Sequence, residues 1–264
     1  MTIRVLVSGS GKMGREVLAA ICREDGLEPA GVVDLYADGD SISLPDGSGE
    51  VPFGSDPTAV IGLTRPDVAV DFTNAEWTPR LAEAALAAGV QLVIGTSGLP
   101  DDFVRHLGAE CEKRQLGAVV ASNFALGAIL MQHMAKTAAR FYQSAEIIEL
   151  HHDQKLDAPS GTAIATAKGM AEARGKSFER AETQRENLPG TRGSDVSGVT
   201  IHSVRLPGLV AHQEVIFGSP GEVLTIRHDT LGRESFMPGV VLAVRHVMEH
   251  PGLVVGLDQL IGLE

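Results

Sequence analysis

The chain has 264 residues, enough for one large domain or two modest ones, and 44% of them are hydrophobic, enough for a real core. Aromatic residues make up only 4%, so that core has to be aliphatic, a composition that favours buried parallel strands in an α/β fold. The net charge of −12 argues against nucleic acid as a partner, which needs a basic face, but leaves room for a small anion at a local cationic site. Cys22 and Cys111 lie far apart with no C-x-x-C between them, which predicts neither a disulfide framework nor structural zinc and fits a reducing compartment. The start MTIRVLVSGSG has no basic leader, and the richest apolar run, Ala118 to Met131, is broken by Ser122 and Asn123. The expectation is a soluble cytoplasmic protein without a membrane segment.

Ile3 to Gly9 is a β-branched run ending in glycine, which predicts a buried strand. Met13, Val17, Leu18 and Ile21 then recur at helical spacing, and LEPAGVVD gives a second strand ending at Asp34. This is a β-α-β unit. Leu35 to Pro57 is rich in Gly, Ser, Asp and Pro and reads as loop. Next come a strand (Pro66 to Thr73), a helix (Thr78 to Gly89), a strand and turn (Val90 to Gly98), a helix in PDDFVRHLGAECEKRQ and a strand in GAVVASNF. This alternation is the pattern of an open parallel sheet with helices on both faces.

After Phe124 the rhythm changes. A helix is expected from about Leu126 to Tyr142, a strand in SAEIIELHH, and a helix from Gly161 to about Arg174. Lys176 to Ser197 reads as a long surface loop. VTIHSVRL, AHQEVIFG and EVLTIRHD follow one another across Pro-Gly turns, which predicts antiparallel hairpins. The tail MPGVVLAVRHVMEHPG is an amphipathic helix.

Two places carry chemistry. In SGSGKMG, Gly9, Gly11 and Gly14 have G-x-G-x-x-G spacing between a strand and a helix. There the backbone can approach a pyrophosphate and helix N–H groups can meet its charge. Asp34 stands at the end of the second strand, where a carboxylate accepts ribose hydroxyls. An unliganded tight turn is the alternative, and the acid at the right distance favours dinucleotide binding. Asp34 repels a 2′-phosphate and leans towards NADH; Lys12 offsets that, so NADPH stays open. IGTSG and ASNF end later strands, where a nicotinamide would lie.

The second place is ELHHDQKLDAPSGTA, Glu149 to Ala163. His151 and His152 stand next to each other in a predicted strand, so they point to opposite faces and have different tasks. That spacing, with no third ligand nearby, argues against a metal. Lys155 beside a carboxylate would stay charged, and a histidine near neutrality suits proton transfer. Ser160, Gly161 and Thr162 open a helix, where backbone N–H groups and a hydroxyl can bind a carboxylate. The segment reads as a receptor for a small acid or diacid; a solvated loop with an N-cap is the alternative.

This segment strongly resembles the signature of the 4-hydroxy-tetrahydrodipicolinate (dihydrodipicolinate) reductase family, E-x-H-H-x-x-K-x-D-A-P-S-G-T-A. The glycine turn, DFT (Asp71 to Thr73), IGTSG, SNF and SVRLPGLVAHQEVIFG extend the likeness over nearly the whole chain. The resemblance implies a Rossmann-type dinucleotide-binding domain over residues 1–122, completed by 234–264. An α/β substrate and oligomerisation domain with a largely antiparallel or mixed sheet would span 123–233. It implies hydride transfer from NADH or NADPH to a cyclic imine dicarboxylate, on the route to diaminopimelate and lysine. His151 would be the proton donor and acceptor and Lys155 the proton donor, with His152, Gly161 and Thr162 binding substrate.

On the same resemblance, Ser8, Gly9, Ser10, Gly11, Lys12, Met13, Asp34, Gly95, Thr96, Ser97, Ala121, Ser122, Asn123 and Phe124 would line the coenzyme. The assembly would be a homotetramer formed through the substrate-domain sheet. Three positions depart from the pattern: Ser8 stands where glycine is frequent, Ser122 where proline is, and Leu35 where some members carry an arginine for the 2′-phosphate. The rivals are a nicotinamide dehydrogenase of another small acid, told apart by a substrate panel, and a dinucleotide-sensing regulator, told apart by binding without consumption.

Overall fold

The computed structural model describes residues 2–263. The chain divides into two compact units: one takes the chain up to Leu126 and again from Arg233 onward, the other spans Gly127–Gly232.

The first unit runs β1 (Ile3–Ser8), α1 (Lys12–Arg23), β2 (Leu27–Val33), β3 (Ser41–Ser43), β4 (Glu50–Gly54), α2 (Pro57–Thr64), β5 (Val68–Asp71), α3 (Thr78–Ala88), β6 (Gln91–Ile94), α4 (Asp101–Arg114) and β7 (Gly117–Val120). After the second unit it resumes with the helix Met237–Glu249 and the strand Gly252–Val255. One sheet runs through it in the order final strand, β7, β6, β5, β1, β2, β4, β3; every neighbouring pair is parallel except β3 with β4. Strand order turns at β1, which lies between β2 and β5. In an open α/β sheet the crevice for a ligand forms beyond the carboxyl ends of the strands at such a point. The central strands are buried without interruption, as strands covered on both faces must be. Their core is aliphatic: Leu6, Leu81, Leu92, Ile94 and Leu107 are fully buried. Cys111 belongs to this core, and burial, with Glu110 beside it, pushes its thiol up to about 11, so it is packing and not a nucleophile.

The Gly- and Ser-rich stretch read as loop contains β3 and β4, and β4 adds to the sheet beside β2 through Val32↔Phe53 and Val33↔Gly54. Helix α2 follows, with Asp56 as its N-cap, accepting from the N–H of Thr58 at 2.9 Å, and Pro57 in its first turn.

The second unit contains α5 (Leu126–Ala139), β8 (Ser144–His151), α6 (Gly161–Arg174), β9 (Ser194–Val196), β10 (Val199–Arg205), β11 (Ala211–Ser219) and β12 (Glu222–Thr230). Numbering on, the late helix and strand of the first unit are α7 and β13. The second sheet has the order β12, β11, β8, β10, β9. Along β8, Ala145, Ile147 and Glu149 are buried and their neighbours only partly so, the alternation of a sheet covered on one face. Met131 and Ala135 from α5 and Ala163, Ala167 and Met170 from α6 pack there against Ile147, Ile201, Val215 and Phe217.

The hairpin expectation holds for β11 and β12, which pair antiparallel. It fails for β10, which runs parallel to β8 from Thr200↔Glu146 to Arg205↔His151. The chain leaves β8, crosses through α6 and a long connection, and returns alongside; β11 then pairs with the opposite edge of β8. A connection of that length permits parallel pairing, and strand periodicity alone does not distinguish the two directions. β9 and β13 were also unread: β9 pairs antiparallel with β10, and β13 parallel with β7.

Candidate active site

The first candidate site lies at the carboxyl end of β1. Gly9 has φ +91, a left-handed conformation that a side chain would resist. A Cβ on Gly14 would sit 1.8 Å from the carbonyl oxygen of Gly9, so only glycine lets α1 start this close to the turn. No side chain caps α1, which leaves its first N–H groups free to receive an anion. Gly9, Gly11, Lys12, Met13 and Asp34 line one cavity of about 590 Å³.

Asp34 accepts from the N–H of Ser10 at 2.6 Å, the Ser10 hydroxyl at 2.8 Å and the N–H of Tyr36 at 2.9 Å. Burial works to raise its carboxyl, but the N–H groups of Tyr36 and Ser10 and the Ser10 hydroxyl hold it below the ordinary aspartate value. A carboxylate offers about four lone-pair positions, so these three donors leave one for an incoming hydroxyl. The Ser8 side chain does not face the cavity: it is 1% exposed and its hydroxyl accepts from the Trp77 indole N–H at 2.9 Å. The Ser8 hydroxyl thereby holds Trp77, the residue that precedes α3. The same cavity is lined by residues the sequence reading did not select, namely Tyr36, Thr73, Trp77 and Arg80. Arg80 lies over the Trp77 ring, its guanidinium carbon 5.4 Å from the ring centroid. The chain's single tryptophan close to DFT was the signal available for this group.

Gly95 to Ser97 and Ala121 to Phe124 follow β6 and β7 at the same edge of the sheet, outside this cavity. Thr96 is buried, and its hydroxyl donates to Asp71 at 3.1 Å; Thr73 and Thr78 donate to the same carboxylate at 2.7 and 2.5 Å. Asp71, fully buried, thus ties the loops after β5 and β6 together. Gly95 has no room for a Cβ, which would fall 2.0 Å from the Phe72 ring. The Phe124 side chain is core, packed edge-on against Phe72 at 5.1 Å, and the Asn123 amide oxygen accepts from the N–H of Ala125. Ser97 and Ser122 are exposed.

The second candidate site lies in the other unit, where β8 ends and α6 begins. β8 stops at His151, so His152 is not on the strand, and opposed strand faces do not explain the histidine pair. His152 is exposed at the start of a turn closed by the Lys155 N–H and the His152 carbonyl at 3.2 Å. Lys155 reaches Asp157, Nζ to Oδ1 at 2.6 Å. Ser160 caps α6, its hydroxyl accepting from the N–H of Ala163 at 3.1 Å. The N–H groups of Gly161 and Thr162 precede the first intrahelical bond and point out of the helix N-terminus.

Behind these residues lies Glu149, fully buried. It accepts from both terminal nitrogens of Arg205 at 2.9 Å, from His151 Nδ1 at 2.5 Å and from the N–H of Ser160 at 3.2 Å. Burial works to raise its carboxyl, yet Arg205 and the other donors hold it below the ordinary glutamate value. Burial lowers the His151 pKa; Glu149 opposes that and the charges of Lys155 and Arg205 reinforce it. Arg205 went unselected in the sequence because its neighbour across the sheet depends on the parallel placement of β10.

A parallel sheet, a glycine turn against a helix N-terminus and an acid at the end of the second strand define a dinucleotide-binding α/β protein with a second, mixed-sheet unit. Residues 3–124 match the family model described as dihydrodipicolinate reductase, N-terminus, and residues 127–261 match dihydrodipicolinate reductase, C-terminus. The chain belongs to the dihydrodipicolinate reductase family. Among curated relatives, 4-hydroxy-tetrahydrodipicolinate reductase of Dehalococcoides mccartyi is 49% identical over 262 residues, covering 99% of each chain. The protein of that name from Geobacillus thermodenitrificans is 47% identical, covering 99% of this chain and 100% of its own. Among solved structures, dipicolinate-bound dihydrodipicolinate reductase from Paenisporosarcina sp. TG-14 superposes with a TM-score of 0.87 at 41% identity, covering 98% of this chain and 99% of that one. An amine dehydrogenase from Mycobacterium smegmatis, with TM-score 0.65 and 15% identity, shares the fold.

Proposed function

We propose that the protein reduces 4-hydroxy-tetrahydrodipicolinate to tetrahydrodipicolinate at the expense of NADH or NADPH, in diaminopimelate and lysine biosynthesis. The observation that carries this reading is the junction of β8 and α6. It joins a histidine, a lysine and a free helix N-terminus in a chain whose other unit holds a dinucleotide turn. Two carboxylates on a small ring match that set of donors, and the ligand named for the solved relative, dipicolinate, has this form.

The coenzyme, when bound, supplies the hydride. The chain's residues do the rest. Glycines 9, 11 and 14 and the start of α1 hold the pyrophosphate, and Asp34 uses its remaining lone pair on an adenosine ribose hydroxyl. Lys12 and Arg80 line the same cavity and offset the repulsion between Asp34 and a 2′-phosphate, which supports use of both coenzymes. The loops after β6 and β7 take the nicotinamide end through Gly95, Thr96, Ser97, Ala121, Ser122, Asn123 and the Phe124 backbone. On the substrate side, Gly161 and Thr162 bind one carboxylate through their N–H groups and His152 assists. In the net reaction a C–O bond breaks, a C–H bond forms, and the hydroxyl leaves as water with a proton drawn from Lys155 or His151. A dianion beside His151 favours its protonated form, so substrate itself counters the effect of burial and readies that proton.

Assembly as a homotetramer through the second sheet and a cytoplasmic location belong to the same proposal. Ile148, Leu150 and Ile216 on the sheet face away from α5 and α6, only half-buried, support the former; the absence of any helix long and apolar enough to cross a membrane, among the described residues, is compatible with the latter. The test is a coupled assay in which substrate is generated enzymatically and each reduced coenzyme is supplied in turn. Loss of nicotinamide absorbance that depends on the substrate supports the proposal. Activity on another small acid with none on the imine, or coenzyme binding without consumption, rejects it.

A further inference from the structure

We infer that Glu149 and Arg205 are positioning residues for proton transfer: together they fix which nitrogen of His151 carries its proton and anchor the turn that bears Lys155. The inference rests on the role proposed above for His151 and goes beyond it.

Glu149 and His151 are two apart on β8, so their side chains leave the strand on the same face. Nδ1 of His151 lies 2.5 Å from the Glu149 carboxylate, which can only accept, so Nδ1 holds the hydrogen and Nε2 is left for the substrate. Arg205 reaches this carboxylate because parallel pairing sets Arg205 beside His151 and Ser203 beside Glu149. Its guanidinium grips both oxygens of Glu149 and also donates to the carbonyl of Asp157 at 2.7 Å. Asp157 is the partner of Lys155 Nζ. Glu149 further accepts from the N–H of Ser160, the cap of the helix whose N-terminus is the proposed carboxylate receptor. One buried ion pair therefore links the proton-transfer histidine, the lysine turn and the start of α6. The charged groups facing the His151 ring are Glu149 on its own strand, Arg205 from β10 and Lys155 from the turn.

A purely structural ion pair predicts loss of stability and nothing else. A positioning role predicts a change in the proton chemistry of a folded enzyme. E149Q keeps the size of the side chain and removes the charge that favours protonated His151. If protonated His151 delivers the proton, kcat/KM falls as pH rises through its pKa, so in E149Q that descending limb moves to lower pH. Turnover drops at least ~10-fold, and by up to ~10⁴-fold if the wrong tautomer dominates, while coenzyme affinity is unchanged. A folded E149Q with the wild-type pH limb and turnover overturns the inference. The unmodified enzyme provides a second, independent readout should E149Q not fold: side-chain ¹⁵N shifts of His151 are expected to report the proton on Nδ1, and a proton on Nε2 overturns the inference. An inactive wild-type enzyme with the Nδ1 tautomer would instead fault the proposed function and leave the positioning geometry standing.

Discussion

Lys155 is the residue whose loss should separate chemistry from binding most cleanly. Its ammonium is held by Asp157 in the second unit, whereas the cavity proposed for the coenzyme is lined wholly by residues of the first. K155A should therefore lower kcat by roughly 10²- to 10⁴-fold, the usual worth of a positioned acid or base, and leave the Kd of reduced coenzyme unchanged. Kinetics beside a fluorescence titration reads both, and equal loss of the two would contradict its assignment. At this scale the proposed site was legible where its residues lie close together in the sequence. His151, Lys155 and the Ser160 cap lie within ten residues of one another, and Asp34 follows the glycine turn at the spacing a strand and helix dictate. Arg205 and Asp71 escaped because their importance comes from partners far along the chain: Glu149 in one case, Thr96 in the other. The bond of the Ser8 hydroxyl is hidden for the same reason, since the indole that donates to it lies 69 residues along the chain.

Elements built from local pattern were legible, and those defined by pairing were not. The β1–α1–β2 unit follows from its apolar spacing and its glycines. β3, β9 and β13 are three or four residues long, and β10 takes its direction from the crossover before it. The turn between β1 and α1 gives an element-scale test. A methyl group on Gly14 meets the Gly9 carbonyl, so G14A forces the helix start away from the strand. The expected result is a stability loss of about 1–3 kcal/mol in denaturant unfolding, with coenzyme binding lost or greatly weakened. Native coenzyme affinity in G14A would show that the close approach of helix and turn does not shape the site.

For the whole molecule, the titrating groups set how stability depends on pH. Burial lowers the pKa of His151, His228 and His246 below the ordinary 6.5, so as pH falls below that value the unfolded chain binds protons that the folded protein refuses. Glu146 and Glu149 sit below the ordinary 4.5, their stabilisation being present above that value and lost as pH falls through their folded values. Both effects have the unfolded state binding more protons, so stability rises with pH through each range. Melting temperature should be flat between pH ~7 and ~8, decline below ~6.5 and fall more steeply below ~4.5. A melting temperature that rises on acidification from neutrality to pH ~5 would contradict this. The two-unit architecture itself was readable from the change of rhythm after Phe124, because regular β-α alternation gives way to strands that follow one another across turns, β10, β11 and β12, without a helix between them.

The central claim is that this chain moves a hydride from a nicotinamide to a carbon of the cyclic imine dicarboxylate. The most direct measurement supplies reduced coenzyme deuterated at the transferring carbon, each face in turn, with enzymatically generated substrate, and weighs the product by mass spectrometry. The expected result is tetrahydrodipicolinate carrying a single deuterium from one face only. Coenzyme oxidation with no deuterium in the product from either face would contradict it.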